Sequence, residues 1–92
     1  MSFTLVTTRH FERRTRKFFR KHPDLKFTVR NAFDQLHHDP FKPSLKLHPL
    51  TGRLTGIQAV SITHSYRLTL TVQIIEREVV LLDIGTHDEI YG

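Results

Sequence analysis

At 92 residues, with 38% hydrophobic and 25% charged side chains, the chain has the make-up of one small folded domain, residues 1–92, and not of a disordered segment. The lack of cysteine excludes a disulfide framework or a cysteine-based zinc site and suits a reducing cytoplasm. The formal charge of +5 is lopsided: eleven of the 14 Lys and Arg fall in residues 1–46 with four of the nine acids, which points to a polyanion or an acidic partner.

No apolar run reaches the roughly 18–20 residues that span a bilayer, and Met1–Thr8 lacks the pattern of a signal peptide, so neither membrane insertion nor export is expected. In chain order, Phe3 and Leu5 alternate with Thr4 and Val6 as in a short strand. From residue 8 to 22, Phe11, Thr15, Phe18, Phe19 and His22 recur at helical intervals. Thr7 or Thr8 can cap that helix, and His22-Pro23 ends it. Residues 24–38 repeat the pattern with Leu25, Val29, Ala32, Phe33 and Leu36, Asp24 favouring the start and His37-His38 the end. The link between the two helices is so short that an antiparallel helical hairpin is expected. Pro40 and Pro43 then break helix.

From residue 44 the period changes. Residues 44–56 alternate, with Gly52 and Gly56 as turn or bulge positions, and 57–62, 66–75 and 78–84 are apolar and β-branched. Short turns at 63–65 and 76–77 join them into a meander. The expected class is α+β: a short N-terminal strand, an antiparallel helical hairpin, then a three- to four-stranded antiparallel sheet with the helices on one face.

The first helix carries Arg9, Arg13, Arg14, Arg16, Lys17, Arg20 and Lys21 against Glu12 alone. Arg9, Arg13, Arg16, Lys17 and Arg20 lie opposite the phenylalanines, at spacings where like charges repel. Such a face is either solvated or made for phosphates or an acidic segment. The seven histidines include no H-x-x-x-H pair, so no metal site is expected. His37 and His38 read as helix-end residues and His22 as a partly buried cap. His48, His64 and His87 lie in or beside strands, and a sheet that gathers Arg67 with His48 and His87 sets a guanidinium between two imidazoles. Metal-free RNA cleavage needs such a set: a base for the 2′-hydroxyl proton, an acid for the leaving 5′-oxygen and a cation on the phosphate. Tyr91 can stack on a base or serve as an acid. Asp88 and Glu89 read as solvated or as orienting His87. The same residues also read as separate surface polars on strands.

The basic helix pair, the segment D39-P-F-K-P-S-L-K-L-H-P-L-T-G-R-L-T-G56, the Y66-R-L entry into a strand and the ending G85-T-H-D-E-I-Y91 resemble the RelE/ParE superfamily of type II toxin–antitoxin toxins, most of all its YafQ branch. The resemblance spans essentially the whole chain. It implies a ribosome-dependent mRNA endonuclease without a cofactor, neutralised by a cognate antitoxin, in which His48, His87 and Tyr91 contribute to the site and Arg67 contacts the scissile phosphate. Arg13, Arg16, Lys17, Arg20, Lys42, Lys46 and Arg53 would engage ribosomal RNA. Where the YafQ pattern has Asp, His and Asp, this sequence has Ala59, Ser61 and Ser65, so Arg67 would carry more of the charge, with His64 as an auxiliary. The alternatives are a ParE-type toxin that binds DNA gyrase without nuclease chemistry, a weakened or inactive toxin homologue, and a basic RNA-binding module.

Overall fold

The computed structural model describes residues 2–91. The elements run β1 (Thr4–Val6), α1 (Arg9–Lys21), α2 (Lys26–His38), β2 (His48–Pro49), β3 (Gln58–Ser61), β4 (Arg67–Gln73), β5 (Glu78–Gly85) and α3 (His87–Tyr91). Thr8 opens α1, its hydroxyl accepting the Phe11 N–H at 3.0 Å. His22 closes it, giving its N–H to the Phe18 carbonyl just before Pro23. The link to α2 is a 3-10 turn over Pro23–Leu25, so Asp24 sits in the turn and not at the start of the helix proper. Phe11 and Phe18 from α1 meet Val29, Ala32 and Leu36 from α2 over one face of the sheet. The sheet contributes Val60, Leu68, Leu70, Val79, Leu81 and Ile84 to that core.

The α+β class is as expected, but the sheet has five strands in the order β1-β5-β4-β3-β2. The fifth member is β1, which pairs parallel to β5 through Thr4–Val6 and Glu78–Val80. Its position is fixed twice at the end of α2. Phe3 donates its N–H to the His37 carbonyl at 2.7 Å, and the His37 ring Nδ1 lies 2.7 Å from the Phe3 carbonyl oxygen. The expected strand over 44–56 shrinks to His48–Pro49, because 3-10 turns at Pro43–Leu45 and Gly52–Leu54 interrupt it on both sides. Lys46 takes a left-handed conformation (φ 54°), as does Gly52 (φ 65°), and neither fits a continuous strand.

One irregularity decides which side chains face away from the helices. Leu70 pairs with Leu81 but Thr69 pairs with Asp83, so Leu82 is an extra residue and forms a β-bulge. Along β5 the core residues are therefore Val79, Leu81 and then Ile84. A regular strand would have sent Asp83 into that core; the bulge sends Asp83 to the other face, opposite Thr69. No helix among the described residues is long and apolar enough to cross a membrane.

Candidate active site

The face left open by the helices is built by register. Leu68 and Leu70 point to the core, so Arg67 and Thr69 point the other way. Ala59 sits directly opposite Thr69, His48 opposite Ala59, and Ser61 opposite Arg67. His48, Ala59 and Thr69 thus form a row across three strands about 10 Å wide, from two strand spacings. Tyr66, on the core side, packs edge-on against Phe18 (5.1 Å between ring centroids) and against His22 (4.8 Å). That aromatic cluster fixes the start of β4 and with it Arg67. The His48 ring places Nδ1 2.7 Å from the Lys46 carbonyl oxygen. A carbonyl can only accept, so Nδ1 holds the proton and Nε2 is left for other chemistry.

The second half of the site comes from α3. Thr86 accepts the Glu89 N–H at 3.1 Å, and Glu89 in return accepts the Thr86 N–H at 2.9 Å. This reciprocal capping box turns the chain into a helix immediately after β5. The backbone hydrogen bond from Thr86 holds the Glu89 carboxyl below the ordinary glutamate range; partial burial opposes the shift, and Arg14 and Lys21 add to it. Because α3 begins at residue 87, His87 and Tyr91 stand one turn apart on the same side. Their rings lie 4.6 Å apart at 35°. The Tyr91 hydroxyl accepts the Thr51 N–H at 3.3 Å and so ties the end of the chain to the segment after His48.

Together these elements enclose a cavity of about 220 Å³ lined by His48, Thr51, Ala59, Arg67, Thr69, His87, Ile90 and Tyr91 among others. His48, Arg67, His87 and Tyr91, drawn from three parts of the sequence, line the same cavity. His64 does not: it is exposed in the turn between β3 and β4 and is absent from the cavity wall. Ser65 lies in that turn too, whereas Ala59 is buried in the cavity floor and Ser61 faces Arg67 across the ladder. Arg13, Arg16, Lys17 and Arg20 are exposed on α1, as are Lys42, Lys46 and Arg53 in the segments before and after β2. Asp88 is fully exposed, with Oδ1 3.6 Å from His87 Nδ1. Among the described residues no group of three or more His, Cys, Asp or Glu is placed to hold a metal ion.

Arg14 and Asp83, to which sequence reasoning assigned no role of their own, and Glu89, read from sequence as solvated or as orienting His87, support this arrangement. Arg14 donates to Asp83 Oδ1 at 2.8 Å and to the Ile84 carbonyl at 3.2 Å, clasping the edge of β5 beyond its pairing with β1. Glu89 caps α3, and T-x-x-E was the signal for it. Asp83 was marked by the break in the alternation of β5, which the sequence shows as two residues between Leu81 and Ile84.

No family model matches the sequence, and no curated protein matches it. Comparison with solved structures identifies the fold as that of the RelE/ParE-type toxins. In particular, the chain is similar to the crystal structure of YafQ from E. coli, with a TM-score of 0.78 and 15% identity over 98% of this chain and 99% of that one. YafQ in the E. coli DinJ–YafQ toxin–antitoxin complex gives a TM-score of 0.79 at 15% identity with both chains covered in full. The RelBE2 toxin–antitoxin complex of Mycobacterium tuberculosis gives 0.72 at 23% identity, over 95% of this chain and 100% of that one.

Proposed function

We propose that the protein is the toxin of a type II toxin–antitoxin system, a ribosome-dependent mRNA endonuclease acting in the cytoplasm. The observation that carries this reading is the convergence of His48, Arg67, His87 and Tyr91 on one cavity. Its fold supports it further, since two of the similar structures are toxin–antitoxin complexes.

In the proposed reaction the RNA 2′-oxygen attacks the adjacent phosphorus while the bond from phosphorus to the 5′-oxygen breaks. The products are a 2′,3′-cyclic phosphate and a 5′-hydroxyl. His48 takes the 2′-hydroxyl proton through Nε2, the nitrogen left available by its bond to Lys46. His87 delivers a proton to the leaving 5′-oxygen. Arg67, which lines the same cavity, stabilises the added charge on the phosphate. Tyr91 stacks on a base and holds His87 in place. The exposed Arg13, Arg16, Lys17 and Arg20, with Lys42, Lys46 and Arg53, engage ribosomal RNA. A cognate antitoxin with an acidic segment neutralises the toxin.

Expression should arrest translation, and primer extension should find discrete cuts in translated messages. His87→Ala or Arg67→Ala should reduce cutting by about 100-fold or more. If both variants fold and remain fully toxic, the assignment fails. DNA breaks with intact messages would instead indicate a gyrase-binding toxin. A weakened enzyme is the second reading, favoured by Ala59 and Ser61, which place no charge or imidazole beside Arg67. It predicts weak cutting that the same two substitutions abolish.

A further inference from the structure

The catalytic cavity shares Thr69 and Ile90 with a neighbouring cavity of about 180 Å³, whose other walls are His10, Leu54, Ile57, Leu82 and Asp83. At about 30 Å³ per water in the liquid, it has room for about six waters, the scale of a flat heterocycle. Four aliphatic side chains, Leu54, Ile57, Leu82 and Ile90, supply faces for such a ring. The polar groups sit at one edge. Asp83 Oδ1 is fully engaged, accepting from Arg14 Nε and from the Ile84 N–H, both at 2.8 Å. Asp83 Oδ2 lies 3.9 Å from His10 Nε2, too far for a hydrogen bond, while Arg14 balances the carboxylate's charge from its other oxygen. An oriented acceptor and an imidazole therefore face each other across a gap that neither closes. The bulge at Leu82 creates this edge, because it turns Asp83 onto the open face. His10 reaches it from α1, and Arg13, one helical turn on, is exposed beside it to meet a phosphate.

We propose that this second cavity is a nucleobase subsite of the endonuclease. It takes the base next to the scissile phosphate and selects one that offers an exocyclic amino group to Asp83 Oδ2, as in adenine, cytosine or guanine, over uracil. This deepens the nuclease reading and rests on it for the word endonuclease, while base binding itself is separately measurable. Carboxylate acceptance from a base amino group is a known mode of discrimination. The two cavities share Thr69 and Ile90 as walls, and that adjacency is what would make the occupant part of the same RNA strand.

The test has two arms. In the first, cut sites of the wild type are mapped in translated messages beside those of Asp83→Asn and His10→Ala, with thermal melting to verify folding. The wild type should prefer amino-bearing bases at one fixed position by about tenfold or more. Asp83→Asn keeps an acceptor for the Ile84 N–H and turns an amide donor to the slot, so the preference should shift toward uracil. His10→Ala should flatten it to within about twofold. In the second arm, 2′-O-methyl oligonucleotides, which cannot be cleaved, are titrated into the protein and followed by NMR at His10 and the Ile57 methyl groups. Amino-bearing bases should bind more tightly than uracil and shift those signals. Cutting whose base preference survives Asp83→Asn unchanged overturns the subsite and leaves the nuclease reading standing. Selective binding at His10 with no cutting sinks the nuclease reading and keeps the subsite. Oligonucleotides that bind without moving His10 or Ile57 overturn the subsite whatever the cutting shows.

Discussion

Tyr91 uses its ring and its hydroxyl for different contacts, and two substitutions separate them. Tyr91→Phe keeps the packing on His87 and removes the acceptor for the Thr51 N–H. That bond is exposed, so stability measured by thermal melting should fall by less than about 1 kcal/mol, and cutting should fall less than about tenfold. Tyr91→Ala removes both contacts and should reduce cutting much further, as measured in a translating extract. Gly85 is required for a different reason than its place at a turn suggests. Its φ is not left-handed; a side chain there is crowded instead, since an added Cβ would lie 2.9 Å from Glu89 Oε1, 3.2 Å from Glu89 Cβ and 3.3 Å from Arg14 Nη2, and Glu89 would have to shift. Gly85→Ala should therefore push Glu89 out of its cap, and it and Glu89→Ala should reduce cutting to a similar extent. The double substitution should add little to either single one. The meeting of His48, Arg67, His87 and Tyr91 at one cavity was legible in the sequence because each residue type suits one step of the proposed reaction. Arg14 and Thr51 were not, because their roles depend on partners 69 and 40 positions away.

At the scale of the element, α3 is five residues long with none of them buried, too short to persist on propensity alone. Its capping box is therefore the main local restraint, and the bond from the Thr86 N–H favours an ionised Glu89. A carboxyl held below its ordinary range stabilises the folded arrangement above that range, and the contribution is lost as pH falls through the lowered folded-state value. Acidification should fray α3 before the sheet melts, visible as a shift of the Ile90 methyl groups. Glu89→Gln, which can cap without a charge, should remove that pH dependence. The two long helices were readable from their period because Phe11, Phe18, Val29 and Leu36 repeat on one face. The segment from 44 to 56 was misleading because Leu45 and Leu47 alternate with Ser44, Lys46 and His48 as in a strand. Pro43 and the left-handed Lys46 impose turns that alternation does not encode.

Across the whole molecule, the sheet divides two duties. One face holds the apolar core under α1 and α2, and the other carries the cavity, with Arg14 bridging them at the edge of β5. The excess of cations in the first half of the sequence marked the outer face of α1, where Arg9, Arg13, Arg16, Lys17, Arg20 and Lys21 are all exposed. The partner of β1 could not be read from the sequence. Strand pattern shows that Thr4–Val6 wants a sheet, not that it joins β5 in parallel.

That pairing also sets an order of assembly. The helical hairpin and the β3–β4–β5 meander close over short loops, whereas Thr4 must find Glu78 across most of the chain. β1 should dock late in folding and detach first in the native state. Hydrogen exchange should reveal it as a separate opening unit, with the amides of Leu5 and Val6 exchanging well before those of Leu70 and Leu81.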